Sequence, residues 1–237
     1  MKRLLIVGAL AVTAVGGAFA ADLPQPPPQA MYIPAVVPVY NWGGIYFGVN
    51  GGYGFGNTKW TDPNSLSGTT STGTFSTTGF LVGGTVGANY QVDALVFGVE
   101  GDFDGSWLDG KSSSAFCGFA FGPGTQCETK NTWIATARGR VGYAFDRVLF
   151  YGTAGGAFGS VQTGPTGLLQ TTIKGGWTAG AGVEAAFADN WTARIEYLFV
   201  DLADANCTCG FDGALPATQS VSFNASMIRL GVDFKFR

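Results

Sequence analysis

The sequence predicts an all-β fold, an eight-stranded antiparallel up-and-down β-barrel that crosses a membrane. Three observations carry this reading. Charged residues make up only 12% of the chain, against about 25% in soluble globular domains, while aromatics reach 14% and glycine fills 38 positions. Beyond residue 20 no apolar run approaches the roughly 18 residues of a spanning helix. Strand-like segments recur eight times, seven of them with period-two alternation, with connections that alternate short and long. Lipid offers no partner to a backbone N–H or C=O, so a chain of this composition without a helical span is left with a closed barrel.

The N-terminal residues stand outside the fold. Met1-Lys2-Arg3 is positive, Leu4 to Ala14 is apolar, and Ala18-Phe19-Ala20 is a small-x-small site, so residues 1–20 read as a signal peptide cut between Ala20 and Ala21. Without Lys2 and Arg3 the chain has 11 basic and 16 acidic residues, a net charge of −5, which argues against nucleic acid as a partner. Residues 21–41 contain Pro24, Pro26, Pro27, Pro28, Pro34 and Pro38. Proline lacks a donor and fixes φ, so this segment reads as an extended, unpaired periplasmic linker before a barrel spanning residues 42–237.

The strands follow in order. Residues 47–55 place apolar, aromatic or glycine residues at odd positions, and Phe80, Val82, Val86 and Tyr90 alternate with Leu81, Thr85 and Asn89. Leu95, Phe97, Val99 and Phe103 alternate with Glu100, Asp102 and Asp104; Trp133, Ala135, Ala137, Val141 and Tyr143 alternate with Thr136, Arg138 and Arg140. Residues 148–160 form a glycine-rich fifth strand whose faces cannot be assigned. Trp177, Ala179, Ala181, Val183, Ala185 and Phe187 alternate with Thr178 and Glu184, and Trp191, Ala193, Ile195, Tyr197 and Phe199 with Thr192, Arg194 and Glu196. The last strand, within residues 221–237, sets Ile228, Leu230, Val232, Phe234 and Phe236 against Arg229, Asp233 and Lys235. Each has about the length of a tilted membrane strand.

Residues 91–94, 145–147 and 188–190 read as tight turns carrying Asp or Asn. Between them lie polar stretches at 57–78, 109–131, 162–174 and 203–220, which read as long external loops. Trp42, Tyr46, Tyr90, Trp107, Trp133, Tyr143, Tyr151, Trp177, Trp191 and Tyr197 fall at strand ends and read as two aromatic girdles in the headgroup regions.

The polar faces carry the candidate site. Glu100, Asp102, Asp104, Glu184, Glu196 and Asp233 point inward with Arg138, Arg140, Arg194, Arg229 and Lys235, a near-balanced set in a lumen just wide enough for side chains. Buried charges must be paired, so they are expected to form a salt-bridge network that plugs the barrel. Glu100-x-Asp102-x-Asp104 could also pass for a carboxylate pair or cation site, but neighbouring arginines on the same face neutralise it. The chain has no histidine, so neither a Ser-His-Asp hydrolase nor a typical zinc site can be built; no enzyme, metal or cofactor is expected. Gly180-Ala181-Gly182-Val183-Glu184-Ala185 fits a dinucleotide fingerprint, but it alternates as a strand and no crossover helix follows.

All four cysteines fall in the expected loops of an exported chain. Cys117 and Cys127, with nine residues between them, are expected to pair, leaving Cys207 and Cys209 as a strained ring. Cross-loop bonds are the alternative, and spacing does not choose among the three connectivities.

Ala21-Asp22-Leu23-Pro24, Trp42-Gly43-Gly44-Ile45-Tyr46-Phe47-Gly48, Ala137-Arg138-Gly139-Arg140-Val141-Gly142-Tyr143-Ala144 and Trp191-Thr192-Ala193-Arg194-Ile195-Glu196-Tyr197-Leu198 resemble the alphaproteobacterial RopB-type family of small outer-membrane barrels. Those proteins are OmpA-like or opacity-like and often labelled "porin family". The resemblance covers the whole mature chain and implies a surface protein of the outer membrane that supports envelope integrity and host or environment contact. It implies outer-membrane lipid, lipopolysaccharide and the barrel-insertion machinery as partners. Two features depart from the family: Arg237 follows the terminal aromatic Phe236, and the four loop cysteines are not general. A narrow diffusion porin, suggested by inward Gly48, Gly52, Gly83 and Gly87, and an adhesin binding a host or surface ligand through its loops are the alternatives.

Overall fold

The structure, a computed structural model, describes residues 40–61, 71–115, 117, 122–212 and 215–236, with the side chains of 205–219 left out of the description. The signal segment, the Ala20–Ala21 bond, the linker up to residue 39 and Arg237 lie outside the described residues, as do the side chains of Cys207 and Cys209.

The strands are β1 (Gly44–Thr61), β2 (Ser71–Val92), β3 (Leu95–Ser112), β4 (Cys127–Phe145), β5 (Val148–Pro165), β6 (Gln170–Ala186), β7 (Trp191–Asp212) and β8 (Leu215–Lys235). Each pairs antiparallel with its sequence neighbour, and β1 closes on β8 through pairs such as Gly48↔Asp233 and Tyr53↔Ile228, giving a closed eight-stranded barrel. The tight turns form where Asp and Asn were placed. Asp93 and Asp146 sit at φ 53° and 49°, a left-handed conformation that Asp tolerates and two-residue hairpins require. This end is periplasmic by the general rule for such barrels.

The long polar loops are the main correction. The strands run 17 to 22 residues, well past the bilayer, and residues 203–212 and 215–220 are strand rather than loop. The reason lies in a reversal of polarity along strands such as β1 and β8. On β8, Ile228, Leu230 and Val232 face outward, but beyond them the buried positions are Met227, Ala225, Phe223 and Val221. On β1, exposed Asn57 and Lys59 flank the buried Thr58 and Trp60. A wall that leaves lipid for water must turn its polar face out and its apolar face in. The period of two continues with its sides exchanged, which in sequence looks like an end to the strand. Bulges at Lys59/Thr61, Gly105/Leu108, Asn131/Trp133 and Leu202/Ala205 fall within this outer region.

Candidate functional site

The barrel interior is filled in stacked layers. The central layer is ionic, and register explains its near pairs: Glu100 lies opposite Arg138, Glu184 opposite Arg194 and Glu196 opposite Arg229. The longer links cross the lumen. Arg194 on β7 donates to Glu100 on β3 at 2.6 Å, and Arg229 on β8 donates through Nη1 to Asp102 at 2.9 Å and Asp104 at 2.6 Å. Arg138 on β4 reaches Glu196 on β7 at 2.7 Å while its other nitrogen holds Glu100 and Asp102. The remaining Nη2 of Arg229 donates to Glu196 at 2.5 Å. Opposite walls are therefore tied through guanidinium groups, whose planar fork suits several carboxylates at once.

The margins of this layer are completed by hydroxyls and rings. Arg140 donates to Glu184 at 2.7 Å and to Tyr46 Oη at 2.9 Å, and Tyr46 in turn donates to Glu100 at 2.7 Å. The Arg140 guanidinium lies 4.0 Å from the centre of the Tyr151 ring. Thr136 donates to Asp102, and Thr192 to Glu184, each at 2.7 Å. Asp233 is held least: Arg194 Nε lies 3.4 Å away, and neither carboxylate oxygen accepts a hydrogen bond among the described residues.

Three residues assigned to the girdles sit inside instead. Tyr46, Tyr151 and Trp42 are buried, the first two because a glycine faces each ring on the adjacent strand, Gly87 across from Tyr46 and Gly182 across from Tyr151. A Cβ on Gly182 would lie 2.6 Å from Tyr151 Cζ, and one on Gly87 would clash with Cζ and Oη of Tyr46. Gly87→Val should therefore displace Tyr46 from Glu100 and Arg140 and cost about 1–3 kcal/mol. Urea unfolding in detergent, followed by tryptophan fluorescence, measures it. The other assigned aromatics stand on the outer face, Tyr90, Tyr143 and Trp191 near the turn end and Trp107, Trp133, Trp177 and Tyr197 toward the outer end.

Gly48, Gly52 and Gly83 likewise face side chains on the adjacent strands. Their missing side chains make room for Asp233, Arg229 and Asp104.

Outward of the ions comes a layer that sequence reasoning missed, in which Leu81, Leu108, Ile134, Leu198, Val200, Leu202, Phe223 and Met227 pack across the lumen. The available signal was phase: Leu198, Val200 and Leu202 continue the inward set of Arg194 and Glu196 at spacing two. Farther out, the Cys117–Cys127 disulfide, with Cα atoms 5.5 Å apart, packs with Trp60, Val221 and Phe75. Trp60 Nε1 donates to Thr129 Oγ1 at 2.9 Å in the same layer.

The turn end has a lid built by the last residues of the expected linker. Tyr40 N donates to Asp146 Oδ1 at 3.1 Å, Trp42 N to Gln91 at 2.6 Å and Trp42 Nε1 to the Asp146 carbonyl at 2.9 Å. Lys235, grouped from sequence with the lumen charges, serves this lid: its ammonium donates to the Asn41 carbonyl and lies 4.2 Å from the centre of the Tyr40 ring.

A membrane-crossing barrel with its interior occupied from lid to disulfide defines the class of protein. The chain belongs to the outer membrane protein beta-barrel domain family, which matches residues 9–236. It is 35% identical to the 31 kDa outer-membrane immunogenic protein of Brucella melitensis biotype 1 over the full length of both chains. It is 31% identical to the 22 kDa outer membrane protein of Rhizobium leguminosarum bv. viciae, over 85% of this chain and 81% of that one. Among solved structures it is similar to Neisserial surface protein A, at 17% identity and a TM-score of 0.42, over 80% of this chain and 97% of that one. The chain is thus a small outer-membrane protein of the family that includes these alphaproteobacterial proteins, as its sequence motifs suggested.

Proposed function

We propose that this protein is a non-enzymatic structural component of the outer membrane, a plugged barrel that braces the envelope and holds a rigid β extension toward the medium. The filled lumen carries this reading. Arginines bridge opposite walls, an apolar layer lies above them and an aromatic lid below, so side chains occupy the path a solute would take. Most of the carboxylates are held by guanidinium groups that each serve more than one partner, an arrangement suited to rigidity rather than proton transfer. The outward aromatics fit the headgroup levels of lipid and lipopolysaccharide. Surface contact through the extension is the accompanying role, supported by strands that continue beyond the lipid-facing residues.

Deletion of the gene tests the reading. Cells lacking the protein should become more sensitive to detergents, with uptake of small hydrophilic solutes unchanged. A drop in hydrophilic uptake without a detergent phenotype would favour the diffusion porin.

A further inference from the structure

The lipid-facing wall is not evenly filled. On the outer face of β4 to β7, toward the turn end, runs an apolar groove of about 680 Å³. Its floor is Gly152 and Ala181, and its sides are Val141 and Tyr143 on β4 and Ile195 and Tyr197 on β7. That volume lies within the roughly 300–1,000 Å³ of small-molecule sites. Packing of the wall does not require the glycine. A Cβ on Gly152 would meet nothing nearer than the Gly180 carbonyl at 3.9 Å, whereas Gly48 and Gly83 make room for lumen side chains. Glycine inside a strand lowers stability relative to alanine, so the open floor has a cost that no neighbour explains.

An exposed ion pair stands at the foot of this groove. The β4–β5 turn carries Arg147 and the β6–β7 turn carries Asp189, and the two meet at 3.5 Å with side chains 49% and 72% exposed. These turns join the strands that line the groove. Such a surface pair contributes little to stability, which leaves both groups able to take other partners. The Arg147 guanidinium also lies 5.7 Å from the centre of the Tyr40 ring, beside the lid. An apolar channel with one positive and one negative group at its end matches a zwitterionic phospholipid, whose phosphate and ammonium adjoin its acyl chains.

We propose that this groove and the ion pair at its foot hold one phospholipid molecule of the periplasmic leaflet. An acyl chain lies along Gly152 and Ala181, the phosphate meets the fork of Arg147, and the headgroup ammonium meets Asp189. Tyr143 stands at the level where an aromatic ring borders headgroups. The inference rests on the turn end facing the periplasm and stands whether or not the lumen conducts.

The test is native mass spectrometry of the full chain, released from micelles doped with equal amounts of phosphatidylethanolamine and phosphatidylglycerol. One retained molecule is expected, mainly the ethanolamine lipid. Gly152→Leu fills the floor without reaching the lumen and should abolish retention while heat-modifiable gel mobility stays that of the folded barrel. Ala181→Leu is a second filler on the neighbouring strand, so a misfolded first variant does not end the test. Arg147→Gln should weaken retention of both lipids about tenfold, since both carry the phosphate. Asp189→Asn should instead erase the preference for ethanolamine. No retained lipid, a graded series of lipids that ignores both fillers, or a second copy of the chain in place of lipid would overturn the proposal. So would a headgroup preference indifferent to both charge variants.

Discussion

Arg138→Met should destabilise the barrel by about 3–5 kcal/mol, the cost of leaving buried charge without its partner. Arg138 touches three carboxylates, Glu100, Asp102 and Glu196, and all four side chains are at most 1% exposed. Methionine fills much of the volume but leaves a strand face and its opposite wall sharing uncompensated negative charge. Arg194 and Arg140 still hold Glu100, and Arg229 still holds Asp102 and Glu196, so collapse is partial rather than complete. Equilibrium urea unfolding in micelles measures the change. Asp233→Asn is the matched contrast, because that carboxylate accepts no hydrogen bond among the described residues and has one guanidinium at 3.4 Å. It should shift stability far less than Arg138→Met, because no hydrogen bond is lost with the charge. Equal losses at both positions would mean that the pairing geometry is not what stabilises the interior.

Trp42→Ala should cost about 3–5 kcal/mol, the usual range for deleting a buried tryptophan. The indole is 1% exposed, packs edge-on against Tyr40 at 4.9 Å and donates to the Asp146 carbonyl. Its loss removes the centre of the cluster that also contains Val96, Ala144, Leu149, Tyr151 and Ala186. The barrel wall should survive, since β1 pairing begins at Gly44↔Asn89, so the heat-modifiable gel shift persists while the urea midpoint falls. A lipid-facing tryptophan would instead leave the midpoint nearly unchanged and alter only membrane affinity.

Much of this architecture is legible in the sequence, and the illegible parts share a cause. Seven alternating strands and three Asp- or Asn-bearing turns can be read because membrane strands separate apolar from polar residues by face, while the glycine-rich fifth strand shows its place but not its faces. The inward charges follow from the same alternation, but their cross-lumen partners do not. Register pairs Glu184 with Arg194, yet in the fold Arg194 reaches over to Glu100 and Glu184 takes Arg140. Alternation says which face a residue occupies, never how far a long side chain travels. The outer parts of strands such as β1 and β8 are illegible as strand because their polarity reverses where lipid gives way to water. Tyr46 and Tyr151 misled because an aromatic at a strand end has two homes, and only the glycine on the neighbouring strand selects the lumen. The lid is illegible because Tyr40 and Asn41 follow directly on the proline-rich stretch, with no alternation of their own to set them apart.

The central claim is that side chains close this lumen, and single-channel recording in planar bilayers tests it most directly. Purified, folded protein should insert and remain silent, with no reproducible conductance step across the usual range of voltages. Uniform, stable steps that scale with salt concentration would contradict the account and show a continuous aqueous path through the ionic layer.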